Sequence, residues 1–95
     1  MAILAQTRVT GGTREDVNEV QSRVEAGIMG LGGPPAGLLT AVVYPDGDGW
    51  ILLEVWRSET AMREWLESVV LPALSATGRT ADETVISPVW SFARP

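Results

Sequence analysis

Hydrophobic and polar residues follow two different rhythms along the first third of the chain. In Ile3–Val9 every second residue is apolar or β-branched, which predicts a strand with one buried face. From Arg14 to Ile28 the apolar residues recur every three or four positions, which predicts an amphipathic helix. Thr13 and Asp16 have the spacing of a helix N-terminal cap. The chain therefore begins with a strand and a helix of about four turns.

The middle of the chain predicts a β-hairpin. The glycines and prolines of Met29–Gly37 end the first helix and connect it to the next strand. Leu38–Tyr44 and Trp50–Trp56 are rich in β-branched, aromatic and other apolar residues, as strands are. The segment Pro45–Gly49 (PDGDG) between them has the composition of a hairpin loop.

The last third predicts a second helix and a fourth strand. Ser58 is a typical N-cap, and an apolar stripe at helical spacing follows it as far as Val70. Pro72 is expected to kink or restart this helix after Leu71, because proline lacks the backbone N–H and clashes with the preceding turn. Thr84–Phe92 is strand-like, and Pro88 within it favours a position at the sheet edge.

The resulting order, β-α-β-β-α-β, predicts an α+β fold of the ferredoxin-like type over a single domain, residues 1–95. Such a chain closes as a four-stranded antiparallel sheet with both helices on one face.

The third strand indicates how the other face of the sheet is covered. Its two alternating residue sets, Trp50/Leu52/Glu54/Trp56 and Ile51/Leu53/Val55/Arg57, are both mostly apolar. A strand that is apolar on both faces is normally covered on both. We therefore expect a homodimer in which two sheets face each other and enclose a barrel.

Glu54 decides the expected orientation of the third strand, because a carboxylate is costly beneath two packed helices. We predict that Trp50, Leu52, Glu54 and Trp56 line the barrel interior. A pairing of Tyr44 with Trp50 would place Thr40, Val42 and Tyr44 beside them and Leu38 opposite Trp56. Ile86, Trp90 and Phe92 of the last strand line the same space or serve the dimer contact, whereas Trp65 lies beneath the sheet.

Composition excludes several chemistries. The seven basic residues are all Arg, and the chain has no Lys, His or Cys. It therefore offers no lysine Schiff base, no Ser–His or Cys–His couple, no zinc cluster and no disulfide. The glycines of Met29–Gly37 do not have the order of a phosphate-binding loop, and the DGDG stretch lacks the other ligands of a calcium loop. These residue types therefore predict neither a metal site nor a phosphate-binding loop.

The net charge of −5 argues against nucleic-acid and anionic-membrane partners. The apolar runs are much shorter than the roughly 20 residues that cross a bilayer. The first nine residues do not have the pattern of a signal peptide. The sequence thus predicts a cytoplasmic protein.

One stretch resembles a known family. Leu53–Leu66 (LEVWRSETAMREWL), which runs on to Val70–Leu74 (VLPAL), is similar to the strand-then-helix segment of dimeric α/β-barrel proteins of the antibiotic-biosynthesis-monooxygenase type. With the element order, the resemblance covers essentially the whole chain. Many relatives carry a His in the second helix, where this chain has Trp65, so a haem-binding activity is not expected.

The resemblance implies a monooxygenase that needs no cofactor and acts on an aromatic or polyketide-like molecule inside the barrel. Glu54 and Tyr44 are the candidate catalytic residues, and Glu54 is the candidate base because burial raises the pKa of a carboxyl group. The candidate substrate-binding residues are Trp50, Trp56, Trp90, Thr40, Leu52 and Arg8.

Three alternatives remain at this stage. The protein could be a polyketide cyclase or isomerase, or it could bind a small molecule without catalysis as an accessory subunit. In the third alternative it is a purely structural dimer module. Glu54 has an open alternative too, as the ion-pair partner of Arg8 or Arg57, and the aromatic residues could be ordinary core.

Overall fold

The computed structural model describes residues 2–91, which form four strands and a helical layer. The elements in chain order are β1 (Ile3–Val9), α1 (Arg14–Gly30), β2 (Leu38–Asp46), β3 (Gly49–Trp56), α2 (Glu59–Trp65), a π-helical turn (Leu66–Val70), α3 (Leu71–Ala76) and β4 (Val85–Pro88).

The sheet has the strand order β2-β3-β1-β4, and every neighbouring pair is antiparallel. The helices pack on one face of it, where α1 and the α2–α3 segment share a core with β1 and β3. This arrangement confirms the predicted ferredoxin-like α+β fold. No helix in the described part of the chain is long and apolar enough to cross a membrane.

A complete capping box starts α1, as the sequence predicts. The Thr13 hydroxyl accepts a hydrogen bond from the Asp16 backbone N–H at 3.3 Å, and the Asp16 carboxylate accepts one from the Thr13 N–H at 2.7 Å. Arg79, after α3, adds an ion pair with Asp16 at 2.7 Å. The Thr13 backbone N–H, followed by the Arg79 guanidinium, lowers the pKa of Asp16.

The second helix is interrupted at Pro72. The predicted restart is confirmed, since α3 begins at Leu71, but the irregularity lies in the preceding turn. There the Leu71 N–H donates to the Leu66 carbonyl, which is the spacing of a π-helix. A widened turn of this kind accommodates a proline ring that would otherwise clash with the carbonyl one turn earlier.

The hairpin between β2 and β3 is tighter than predicted. The strands continue to Asp46 and from Gly49, so that a two-residue turn replaces the expected five-residue loop. Gly47 has a φ of 59°, at a turn position that favours glycine. Gly49 is also required, because a Cβ there would lie 2.1 Å from the Val9 carbonyl oxygen.

The predicted strand register is wrong by one residue over most of β2. Leu38 pairs with Trp56 as expected, but Thr40 pairs with Val55 and Tyr44 with Ile51. The cause is a β-bulge between Leu38 and Thr40, which inserts one extra residue into β2. As a result Thr40, Val42 and Tyr44 lie on the opposite face of the sheet from Glu54.

The predicted orientation of β3 is also wrong. Trp50 and Trp56 belong to the core that the helices cover, and Leu52 packs against it. Glu54 shares their face by strand alternation. The side chains of Ile51, Leu53 and Val55 therefore lie on the face away from the helices.

The strand β4 is shorter than the predicted Thr84–Phe92. It pairs only with β1, which confirms the edge position inferred from Pro88. Trp90 follows the strand and is 92% exposed. Phe92 lies outside the described residues.

Candidate functional site

A cavity of about 290 Å³ lies between the sheet and the helices. Its lining is mostly apolar and comes from β1, β2, β3, α1 and the α2–α3 segment. The lining residues are Thr7, Val9, Val20, Gln21, Val24, Glu25, Ile28, Leu38, Ala41, Val43, Trp50, Leu52, Glu54, Trp65, Val70 and Leu74. We call this space the Glu54 cavity.

The cavity exists beside Glu54 because the residues paired with Glu54 across the sheet are small. Ala5 on β1 and Ala41 on β2 are its two partners. Larger side chains at these positions would fill the space between the central strand and the helices. Glu54 can therefore lie beneath the helices because it borders a cavity and not a tightly packed core.

Glu54 is deeply buried, with 4% of its surface exposed. Burial raises the pKa of its carboxyl group, because removal from water disfavours the charged form. The Trp56 indole lowers the pKa in part, although its N–H is not within hydrogen-bond geometry of any partner among residues 2–91. No cation in that range pairs with Glu54.

Arg8 is engaged elsewhere. Its guanidinium pairs with Asp46, the last residue of β2, at 2.9 Å and with Asp48, in the hairpin turn, at 3.1 Å. It alternates with the residues that face the helices, so it lies on the other side of the sheet from Glu54. Arg8 therefore holds the hairpin and is not in the Glu54 cavity.

The walls of the Glu54 cavity carry two aromatic rings and one polar hydroxyl pair. Trp50 and Trp65 are each 5% exposed and both border the cavity. The Thr7 hydroxyl hydrogen-bonds to that of Thr84 at 2.8 Å, which satisfies it within the protein. Aromatic walls with few polar groups suit a flat, apolar ligand.

A second cavity, of about 360 Å³, lies between the start of α1 and the hairpin. It is lined by Gly12, Thr13, Arg14, Val17, Gln21, Val43, Tyr44, Pro45, Gly49 and Trp50. Three of these residues, Gln21, Val43 and Trp50, also line the Glu54 cavity. We call it the outer cavity.

The predicted site residues separate into two groups. Glu54, Leu52 and Trp50 come together in the Glu54 cavity. Tyr44 borders only the outer cavity, so the two candidate catalytic residues do not meet in one space. Trp56 is completely buried and Thr40 is exposed, and neither lines the Glu54 cavity or the outer cavity.

Trp90, Thr40 and Arg8 fall outside the site for one shared reason. Each was placed by assuming that the site lies on the sheet face that the helices leave open. The structure puts the cavity beneath the helices instead, where these three residues do not reach.

The residues that the sequence interpretation missed come from β1, β2, α1 and the α2–α3 segment. Thr7 of β1 lies opposite Leu52. The alternation in the sequence of this strand places Thr7 on the same face as Ala5 and Val9. Trp65 is beneath the sheet as predicted, but it also forms a cavity wall. The inner residues of α1, among them Val24 and Ile28, were interpreted only as helix core.

The acidic groups of the site do not form a metal centre. Among residues 2–91, no three acidic side chains converge in an arrangement that could hold a metal ion. Glu54 lies deep in the cavity, and Glu25 lies on the exposed side of α1. The chemistry available to the cavity is therefore proton transfer by one buried carboxyl group next to aromatic walls.

Comparison of the sequence with protein-family models and with curated proteins finds no match. Solved structures do match the fold. A variant of SnoaB, a cofactor-independent oxygenase from Streptomyces nogalater, has a TM-score of 0.67 at 17% identity, with 96% of this chain and 95% of that chain covered.

Two further structures extend the comparison. Rv0793 from Mycobacterium tuberculosis has a TM-score of 0.64 at 17% identity and covers 99% of this chain and 100% of its own. A candidate antibiotic biosynthesis monooxygenase from Deinococcus radiodurans has a TM-score of 0.61 at 13% identity, with 98% and 97% covered. The chain therefore has the ferredoxin-like fold of these proteins over nearly its whole length, as the resemblance to the antibiotic-biosynthesis-monooxygenase type implied.

Proposed function

We propose that this protein is a cofactor-independent monooxygenase that oxidises an aromatic or polyketide-like molecule in the Glu54 cavity. The observation that carries the proposal is a buried carboxyl group without a cation partner, facing an apolar cavity with tryptophan walls. The fold that this chain shares with SnoaB, described as a cofactor-independent oxygenase, supports it.

The proposed chemistry begins with proton removal. Ionised Glu54 takes a proton from a carbon or hydroxyl group of the ring system, and the resulting anion is rich enough in electrons to reduce O₂ directly. Oxidation of a ring methylene to a carbonyl then balances, since one oxygen atom enters the carbonyl and the other leaves as water with the two hydrogens. A raised pKa makes Glu54 a stronger base once it is ionised.

The second candidate catalytic residue, Tyr44, is not the base in the proposal. Its position at the outer cavity separates it from the proton-transfer step at Glu54. By strand alternation the side chain of Tyr44 also lies on the sheet face away from Glu54. We therefore assign the base to Glu54 alone and give Tyr44 no part in the proton transfer.

We also propose that the protein is a homodimer formed through the open face of the sheet. On this face Ile51 and Val55 of the central strand β3 are already buried within one chain, whereas Leu53 is half-buried and Val42 of β2 and Val85 of β4 are exposed. An apolar sheet face of this kind is normally covered. A second copy would cover it symmetrically and leave the Glu54 cavity of each protomer intact.

The experiment that tests the proposed function compares Glu54→Gln with the wild type on anthrone, a tricyclic ketone with a reactive methylene. We expect the wild type to consume one O₂ per anthraquinone formed. Glutamine has nearly the same shape but cannot accept the proton, so kcat should fall by about 10²-fold or more. Glu83→Gln, at an exposed loop residue, is the matched control and should retain wild-type turnover.

The dependence of the rate on pH gives a second readout. The base must be ionised, so kcat should rise with pH through a value above the ordinary pKa of 4.5 for glutamate, in the direction that burial shifts it. Equal turnover by Glu54→Gln and wild type would remove Glu54 as the base.

Isomerisation or cyclisation is the second candidate function. The observation that favours it is that Glu54 can deliver a proton as well as take one, and these reactions need no oxidant. Turnover of a polyketide-like substrate under argon, without O₂ consumption, would support it over oxygenation. Tight binding without any turnover would instead indicate an accessory binding protein of the same fold.

A further inference from the structure

The two cavities lie side by side, and one indole separates them. Of the three residues that border both, Gln21 lies on the exposed side of α1 and Val43 is short, whereas Trp50 is large and 5% exposed. Trp50 is therefore the principal partition between the Glu54 cavity and the outer cavity.

The backbone holds this partition in place. Trp50 is paired with Val9 on one side and with Pro45 on the other, at the closed end of the hairpin. The preceding residue, Gly49, approaches β1 so closely that no side chain fits there. The position of the Trp50 Cα is thus fixed, and the size of its side chain alone determines how far the wall extends.

The indole of Trp50 has a cost that a smaller ring would avoid. Its N–H is buried and has no hydrogen-bond partner among residues 2–91. A buried donor without a partner is unfavourable and is uncommon enough in folded proteins to need an explanation. Phenylalanine would pack a smaller aromatic ring there without that cost.

We propose that Trp50 is a specificity-determining residue that sets the length of the ligand by separating the Glu54 cavity from the outer cavity. This inference rests on the proposed function, because it takes the Glu54 cavity as the ligand-binding space. With Trp50 in place, the cavity of about 290 Å³ admits a short fused-ring ligand. Without the indole, the ligand extends into the outer cavity towards Thr13 and Arg14.

The test uses a linear series of neutral fluorescent ligands, 2-naphthol, 2-hydroxyanthracene and 2-hydroxytetracene, with binding followed by fluorescence polarisation. The wild type should bind the four-ring ligand at least about tenfold more weakly than the best shorter one, since a wall excludes even small additions to a ligand. Trp50→Ala should bind the four-ring ligand about tenfold more tightly than the wild type does and should change the Kd of 2-naphthol much less.

Leu52→Ala is the matched control. Leu52 borders only the Glu54 cavity, so its truncation enlarges that space without opening the partition. It should give no selective gain for the four-ring ligand. Trp50→Phe keeps a buried ring and covers the case in which Trp50→Ala does not give a cooperative thermal transition; it should give a gain in the same direction, of about threefold.

The outcomes separate the two proposals. Binding of 2-naphthol by the wild type with no gain for the four-ring ligand in either Trp50 variant would overturn the inference and leave the proposed binding cavity standing. An equal gain in Leu52→Ala would overturn it as well. Absence of binding by every ligand to the folded wild type would overturn the proposed cavity, and the inference with it.

Discussion

Glu54 links the stability of the protein to pH. Because burial raises the pKa of its carboxyl group, the folded protein binds this proton more tightly than the unfolded chain does. The stabilising effect of the proton is fully present below the ordinary pKa of 4.5 and is lost as pH rises through the folded-state value. The buried carboxylate thus lowers the stability of the fold at higher pH.

Glu54→Gln should remove this pH-dependent loss of stability, because glutamine carries no charge. We expect the variant to unfold at a higher urea concentration than the wild type near neutral pH and at a similar one in acid. Urea unfolding of both proteins between about pH 4 and pH 8 measures the difference. Unfolding midpoints that differ by a constant amount at every pH would contradict a raised pKa of Glu54.

Gly49 and Gly30 allow a paired test of how a single added Cβ changes the stability of the protein. A Cβ at Gly49 would lie 2.1 Å from the Val9 carbonyl oxygen, whereas one at Gly30 would meet no atom within 4 Å. Gly49→Ala should lower the free energy of unfolding by about 1–3 kcal/mol or more. Gly30→Ala should raise it by about 0.5–1 kcal/mol, because it restricts the unfolded chain. Thermal unfolding of both variants checks the opposite signs.

Among the elements, the start of α1 depends on one side chain. The Thr13 hydroxyl is the acceptor of the capping box, so Thr13→Ala leaves the Asp16 N–H without its partner. We expect a loss of about 1 kcal/mol, which lowers the Tm by roughly 4–8 °C in a domain of this size. Thr60→Ala, at an exposed helical residue, is the control and should lie within about 0.5 kcal/mol of the wild type.

Local signals explain why the elements could be predicted so closely. Thr13, Ser58 and Pro72 act on their own neighbours in the chain, and the structure places helix boundaries at all three. The β-bulge at Leu38–Thr40 is different, because nothing in the local sequence requires an extra residue there. Because of this single bulge, Tyr44 and Thr40 lie on the opposite sheet face from Glu54, whereas the sequence predicted that they share its face.

At the scale of the whole molecule, the sequence predicted the fold but not the face that carries the site. Both residue sets of β3 are apolar, so periodicity could not show which one faces the helices. We inferred the open face from the cost of burying the Glu54 carboxylate, but that inference assumed tight packing beneath the helices. The cavity next to Glu54 depends on the small size of Ala5 and Ala41, which pair with Glu54 across the sheet but are far apart in the chain.

The open sheet face provides the decisive test of assembly. Leu53 is half-buried at the centre of this face, whereas Ala26 is exposed on α1 on the opposite side of the molecule. In a symmetric dimer formed through the sheet, Leu53→Arg brings two unpaired charges into an apolar contact, which is strongly unfavourable. Ala26→Arg adds the same charge away from the contact and should leave the assembly unchanged.

Sedimentation equilibrium measures the outcome directly. We expect the wild type and Ala26→Arg to sediment at twice the chain mass of 10.2 kDa and Leu53→Arg to sediment at the chain mass itself. Circular dichroism should show the same secondary structure in all three proteins, because Leu53 lies outside the core beneath the helices. A monomeric wild type at micromolar concentration would refute the dimer, and a dimeric, folded Leu53→Arg would exclude the sheet face as its interface.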